Sequence, residues 1–223
     1  MKPYYFIGLD LGQRRDHSAL VIAERRMIAG RAWNPVLGGY PGSVRLEVQR
    51  VERFAIGTEY VTVVRRVAEI VRKLQARGAV VRIAMDATGV GVAVWELMKA
   101  EGLGGITTPV TVIGGGIRDR AVGGESAGQF VSVSKVELFY GLMVGMEQDR
   151  TALSAGMPFL QDLLDELRLI GVEFGSGGTK VTGAKGERHD DLAFAAALAQ
   201  WAGTRSFPGD VARAEKVAQG RLL

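Results

Sequence analysis

The sequence predicts a mixed α/β fold, a five-stranded sheet of three antiparallel strands followed by parallel ones, with helices on both faces. Three strand-like runs come before any segment of helical period. From residue 59 onward, helical and strand-like segments alternate. Strands joined without helices pair antiparallel, whereas strand–helix–strand units form parallel, right-handed crossovers. The chain has 223 residues, 47% of them apolar, enough for one layered domain over residues 1–203 with a polar tail over 204–223.

Residues 4–10 form a continuously apolar run, the pattern of a central strand. A turn over 11–17 leads to a second run over 18–24, close enough to make a hairpin with the first. Gly30, Pro35, Gly38, Gly39, Pro41 and Gly42 mark a loop. Residues 44–56 nearly alternate, with Val44, Leu46, Val48 and Val51 on one face, as a third strand with one wet face does.

Thr58 is placed to cap a helix starting at Glu59, whose apolar positions Val63, Val64, Val67, Ile70, Val71 and Leu74 follow helical spacing until Gly78. Residues 80–86 make a fourth strand, 90–101 a second helix and 110–113 a fifth, short strand. Residues 114–128 read as a glycine-rich loop. Ser134 and Glu137 have capping-box spacing for a helix over 135–146. Pro158 suits a first helical position, followed by a stripe of Leu160, Leu163, Leu164 and Leu167. Val172–Phe174 and Lys180–Thr182 flank Gly175-Ser176-Gly177-Gly178, a glycine-tipped hairpin. The last helix runs over 190–202, and Trp95 and Trp201 fall on core-facing helix positions.

With no Cys in the chain, disulfides, thiolate metal sites and cysteine nucleophiles are excluded. Two His, His17 and His189, are too few for a multi-histidine centre. Any metal must be held mainly by oxygen, which favours Mg²⁺ or Mn²⁺. A net charge of +4 is compatible with an anionic partner. No apolar run approaches membrane-spanning length, and no signal peptide is evident.

The chemistry lies in carboxylates at the ends of apolar runs. Asp10 closes the first strand and Asp86 the fourth, while Asp190 and Asp191 open the alanine-rich last helix. A charge at the end of a buried strand is costly unless neutralised. If the two strands are parallel neighbours, Asp10 and Asp86 emerge at one edge, where ligand sites of such sheets lie. The small residues Ala193, Ala195, Ala196, Ala197 and Ala199 let the last helix lie close to the sheet and bring its acidic end to the same edge. Taken alone, Asp190 reads as a helix cap, and Asp86 and Asp16 as turn residues. Together, the carboxylates read as ligands of divalent cations suited to phosphodiester displacement. Spacing leaves open which of Asp190 and Asp191 faces the sheet.

At these positions the chain resembles a known family. Phe6-Ile7-Gly8-Leu9-Asp10-Leu11-Gly12 with Asp16-His17-Ser18-Ala19-Leu20 resembles the first strand pair of the nuclease domain of phage terminase large subunits. Ala84-Met85-Asp86-Ala87-Thr88-Gly89-Val90-Gly91 resembles its second acidic strand, and His189-Asp190-Asp191-Leu192-Ala193-Phe194-Ala195 the entry to its last helix. The blocks come in the family's order and span residues 6–200. The resemblance implies a ribonuclease H-like fold and a metal-dependent endonuclease that cuts concatemeric double-stranded viral DNA. It implies Asp10, Asp86 and Asp191 as catalytic metal ligands, Asp10 bridging two Mg²⁺ or Mn²⁺ ions when DNA is bound. Asp190 is then a further ligand or a group behind the ligands, and Asp16 matches another acidic position near the site.

The resemblance further implies a packaging ATPase domain, a portal and a small terminase subunit as partners, and the cytoplasm of an infected host as location. No Gly-x-x-x-x-Gly-Lys-Ser/Thr loop occurs in the chain, so ATP hydrolysis is not expected, and the nuclease domain alone is expected to be a monomer. Arg14 and Arg15, beside the first aspartate, and Lys180, Lys185 and Arg188, on the hairpin, are candidate DNA contacts. Arg118 and Arg120 are weaker ones. His189 is placed either to orient a ligand carboxylate or to serve as an ordinary capping residue. Two other readings share features of this sequence: a Holliday-junction resolvase with the same acidic site, and a nucleotide-binding fold of the actin and hexokinase type, which Gly8-Leu9-Asp10-Leu11-Gly12 resembles.

Overall fold

The computed structural model describes residues 2–12, 16–28, 42–89, 91–113, 130–175, 178–182 and 190–205. Three strands come first: β1 (Tyr4–Asp10), β2 (Ala19–Ile28) and β3 (Ser43–Arg53). Helix α1 (Tyr60–Ala76) leads to β4 (Val80–Asp86), then α2 (Gly91–Ala100) leads to β5 (Thr107–Ile113). The remainder comprises β6 (Val131–Ser134), α3 (Lys135–Glu147), β7 (Thr151–Leu153), α4 (Leu160–Leu169), β8 (Gly171–Gly175), β9 (Gly178–Thr182) and α5 (Asp191–Thr204).

The main sheet has the order β6-β5-β4-β1-β2-β3-β7. β1, β2 and β3 pair antiparallel in sequence, and β4 pairs parallel with both β1 and β5. The sheet therefore has seven strands rather than five. The two extra strands are short edge additions, β6 parallel on β5 and β7 parallel on β3. With four and three residues, neither is long enough to display an alternation. β8 and β9 form the expected separate antiparallel hairpin.

Strand alternation divides the core into two clusters. Ile7, Leu9, Leu20, Ile22, Ile83 and Met85 face α1 and α2. Phe6, Ala19, Val21, Leu46, Val48 and Val51 face the other way, toward α3, α4 and α5. α5 is buried from Asp191 through Gly203 and packs on β1, β2, β3 and β4. Its alanines permit this approach, and so does Gly8 beneath them. A Cβ at Gly8 would overlap the Ala195 carbonyl and come within 2.6 Å of the Ala199 nitrogen. Trp95 and Trp201 are core residues, 7% and 9% exposed.

Some local expectations need correcting. Thr58 does not cap α1: its hydroxyl donates to the Ala55 carbonyl at 2.6 Å, and the N-cap position belongs to Glu59. Pro158 precedes α4 by two residues, and the N-cap Phe159 has a left-handed backbone, φ 57°. The Ser134 cap forms as expected, its Oγ accepting from the Glu137 N–H at 3.0 Å. Residues 206–223, most of the expected tail, lie outside the described residues. Among the described residues, no helix is long and apolar enough to cross a membrane.

Candidate metal and phosphodiester site

β1 and β4 are parallel neighbours in register, with Leu9 opposite Met85. Asp10 and Asp86 therefore end adjacent strands, roughly 4.8 Å apart across the sheet. Alternation from Phe6 and Ala84, both in the α5-side core, turns both carboxylates toward α5. The first turn of α5 lies over them. Part of Asp10 reaches solvent, yet protein atoms crowd its carboxylate. Burial and then the charges of Asp86, Asp191 and Asp190 hold it well above the usual carboxylate range, against the Leu11 N–H. Asp86 is also raised, chiefly by burial, while hydrogen bonds from Thr88 and the charge of Lys135 oppose the shift. Asp86 does act as a turn residue, its Oδ1 accepting from the Thr88 N–H at 2.8 Å. The two readings of Asp86 are compatible.

The other two carboxylates meet basic side chains that sequence reasoning missed. Asp190 occupies the N-cap position of α5 without capping it. Its Oδ2 instead accepts from Lys135 Nζ at 2.8 Å. Lys135, the first residue of α3, lies over the rings of Phe139 and Phe194 at 5.6 and 5.7 Å, a cation–π seat that fixes its ammonium group. Asp191 is 4% exposed, and its Oδ2 accepts from Arg53 Nε at 3.1 Å.

Arg53 reaches this position because of a β-bulge. Gln49 and Arg50 together oppose Ile22, while Val48 pairs with Ala23 and Val51 with Val21. The extra residue reverses the facing of everything after it. Arg53 consequently shares a face with Val51, in one row with Ala19 and Asp10 across β3, β2 and β1. The small Ala19 leaves the space above the row for the first turn of α5. The change in apolar spacing from Leu46-Val48 to Val48-Val51 was the available signal.

Arg53 also pairs with Asp162 at 3.5 Å and with Glu166. Glu166, 7% exposed on α4, accepts from the Ala193 N–H at 2.9 Å. Burial pushes Glu166 up to about 7, with the Ala193 N–H and Arg53 opposing and Asp191 adding. Asp16 is exposed and lines a cleft of about 130 Å³ with Gly12, Ser18, Glu59 and Tyr60, beside β1. Arg14, Arg15, Lys185, Arg188 and His189 lie outside the described residues, as do Arg118 and Arg120. Lys180 is placed on β9 by its backbone alone.

The seven-stranded order, the paired acidic strand ends and the acidic entry of a buried last helix can be set against solved structures. The large terminase nuclease of thermophilic phage G20c, solved with bound magnesium, aligns over 89% of this chain and 81% of its own, at 22% identity and TM-score 0.57. The chain has the fold of a terminase nuclease domain. The human cytomegalovirus terminase nuclease domain aligns over 89% and 82%, at 11% identity and TM-score 0.51. A mutant nuclease domain of the large terminase subunit of bacterial virus Sf6, solved with manganese and beta-thujaplicinol, aligns over 90% and 88%, at 16% identity and TM-score 0.52. No protein-family model matches the chain, and no curated protein matches it. The terminase nuclease fold is thus carried by this sequence at low identity.

The donor chemistry of this site fits a hard divalent cation. All four candidate ligands are carboxylates, and among the described residues no basic side chain pairs with Asp10. Among the described residues, however, no three His, Cys, Asp or Glu side chains form a ready-made metal cage. The cause is visible in the pairs just described. Lys135 holds Asp190, Arg53 holds Asp191, and the Thr88 N–H holds Asp86. A metal would compete with these partners for oxygens that already lie at one edge.

Proposed function

We propose that this chain is the metal-dependent endonuclease domain of a viral DNA-packaging terminase, acting on double-stranded DNA by phosphodiester hydrolysis. The observation carrying the reading is Asp10, a crowded strand-end carboxylate repelled by three others and paired with no base among the described residues. Such an arrangement is costly to the fold and explicable by a cationic ligand. Asp10, Asp86 and Asp191 would hold Mg²⁺ or Mn²⁺, with Asp190 within reach once Lys135 releases it. When bound with DNA, a pair of such ions supplies a nucleophile at neutral pH and charge neutralisation at the leaving oxygen.

The chain's own residues supply the rest. As the last residues of β1 and β4, Asp10 and Asp86 lie at the sheet edge that a duplex would have to approach. Lys135 and Arg53 keep the acidic edge from repelling phosphates while no metal is present. Lys180 and the candidate cations at 14, 15, 185 and 188 would neutralise phosphates and position the duplex without reading bases. In the full-length setting a packaging ATPase domain would present the DNA.

Plasmid cleavage tests the reading. With Mn²⁺ or Mg²⁺, the wild-type chain should nick and linearise plasmid. EDTA, Asp10→Ala and Asp86→Ala should each abolish cutting. Cleavage that persists in EDTA, or full activity in both variants, refutes it. A four-way junction cut in preference to linear duplex would instead favour a resolvase.

A further inference from the structure

We infer that Glu166 is a positioning residue for the third carboxylate, acting as a helix cap supplied to α5 from another helix. The inference rests on the metal-site reading above. The residue at the N-cap position of α5, Asp190, makes no side-chain cap, because its carboxylate is drawn to Lys135. The first-turn N–H groups of a helix need acceptors, above all where the helix is buried. Glu166 provides one: its Oε2 accepts from the Ala193 N–H at 2.9 Å. Asp190 is thereby relieved of capping and remains at the acidic edge.

The same carboxylate grips Arg53 through its other oxygen. Arg53 is shared among Asp162, Glu166 and Asp191 on two helices, with a side chain only 19% exposed. Glu166 therefore binds both the backbone next to Asp191 and the cation that contacts Asp191. Without it, the first turn of α5 loses its cap and Arg53 is left to close on Asp191. Both changes work against a metal at that carboxylate. Glu166 lies on the apolar stripe of α4, three residues after the fully buried Leu163. A charge there is costly for core packing alone.

Calorimetric titration of the 223-residue chain with MnCl₂, without DNA, tests the inference. Glu166→Ala should weaken Mn²⁺ binding about ten-fold or more, in the range typical of groups that orient metal ligands. Glu166→Gln keeps an acceptor for the Ala193 N–H and should recover part of the loss. Glu166→Asp keeps the charge but is one methylene too short to span Arg53 and α5, and should also bind weakly. It serves in place of Glu166→Ala if circular dichroism shows that variant unfolded. A merely structural role would lower the melting temperature and leave the affinity of the folded protein unchanged, which overturns the inference. Asp10→Asn runs alongside. If it binds Mn²⁺ as wild type does, the metal site itself is misread. If it loses binding while Glu166→Asp and Glu166→Ala keep it, only the role of Glu166 fails.

Discussion

Lys135 Nζ lies 2.8 Å from Asp190 Oδ2, so the residue that opens the last helix is held by a lysine from α3. That lysine also lowers the carboxyl of Asp86 by its charge. Lys135 is an internal cation standing among carboxylates that a metal would occupy. Lys135→Gln should therefore tighten Mn²⁺ binding several-fold in the absence of DNA. Titration at low ionic strength measures it, and weaker binding would show instead that the lysine holds Asp190 productively.

Asp10→Asn should stabilise the metal-free protein while abolishing its stabilisation by Mn²⁺. The neutral amide removes repulsion from Asp86, Asp191 and Asp190. The gain should be on the order of 1–2 kcal/mol, large for a polar substitution at a half-buried site. Urea unfolding in EDTA and in excess MnCl₂ gives both numbers. A destabilised variant in EDTA would mean that Asp10 makes a structural contribution beyond the contacts described.

Glu166 sets a pH dependence in the metal-free protein. Its carboxyl is raised to about 7 in the fold, from 4.5. The fold thus favours the protonated form. Its contribution is most favourable below pH 4.5, declines as pH rises, and the penalty is complete above about 7. One pKa unit corresponds to about 1.4 kcal/mol, so an upper bound of about 3.5 kcal/mol separates the two limits. Glu166→Gln cannot ionise and should gain on wild type across this window. Unfolding curves in EDTA from pH 4.5 to 8 should diverge, and a constant difference would remove Glu166 as the titrating group.

Gly8→Ala should be among the most disruptive single changes in the chain. The new Cβ would overlap the Ala195 carbonyl, which is helix backbone and cannot rotate away. Separating α5 from β1 should cost roughly 4 kcal/mol or more, at the extreme of single substitutions. Thermal melting checks it, and a near-neutral effect would mean α5 sits farther from the sheet than described.

A polar pair inside the core gives a further test. Thr151 Oγ1 donates to Gln200 Oε1 at 2.6 Å, with both residues about 5% exposed. Thr151→Val keeps the shape and strands the glutamine, at about 1–3 kcal/mol. The double variant Thr151→Val with Gln200→Leu should recover part of that loss in urea denaturation. Strictly additive losses would exclude coupling between the two.

Asp10 and Asp86 were legible in the sequence because each interrupts a strand that is otherwise apolar. Their adjacency was only a condition in the sequence, and the fold meets it by placing β4 on β1 rather than on β3, the strand that precedes α1. The basic partners were not legible. Lys135 lies 55 residues from Asp190, and Arg53 lies 138 from Asp191. Only the packing of α5 brings them together. Glu166 drew no notice beside the leucine stripe of α4, since nothing local tells a solvated acid from one buried against a distant helix end. Asp190 looked like a cap because it holds the cap position, and the structure separates position from role. The edge strands β6 and β7 escaped notice for want of length.

The row Arg53–Ala19–Asp10 depends on the single bulge at Gln49 and Arg50. If the ladder closed without the bulge, the residues after Val48 would slip by one and Glu52, not Arg53, would stand opposite Ala19. A carboxylate would then join Asp10 and Asp191 where a guanidinium now stands. The sign of the charge at that edge is thus set by one surplus residue in a strand ladder, far along the chain from either aspartate.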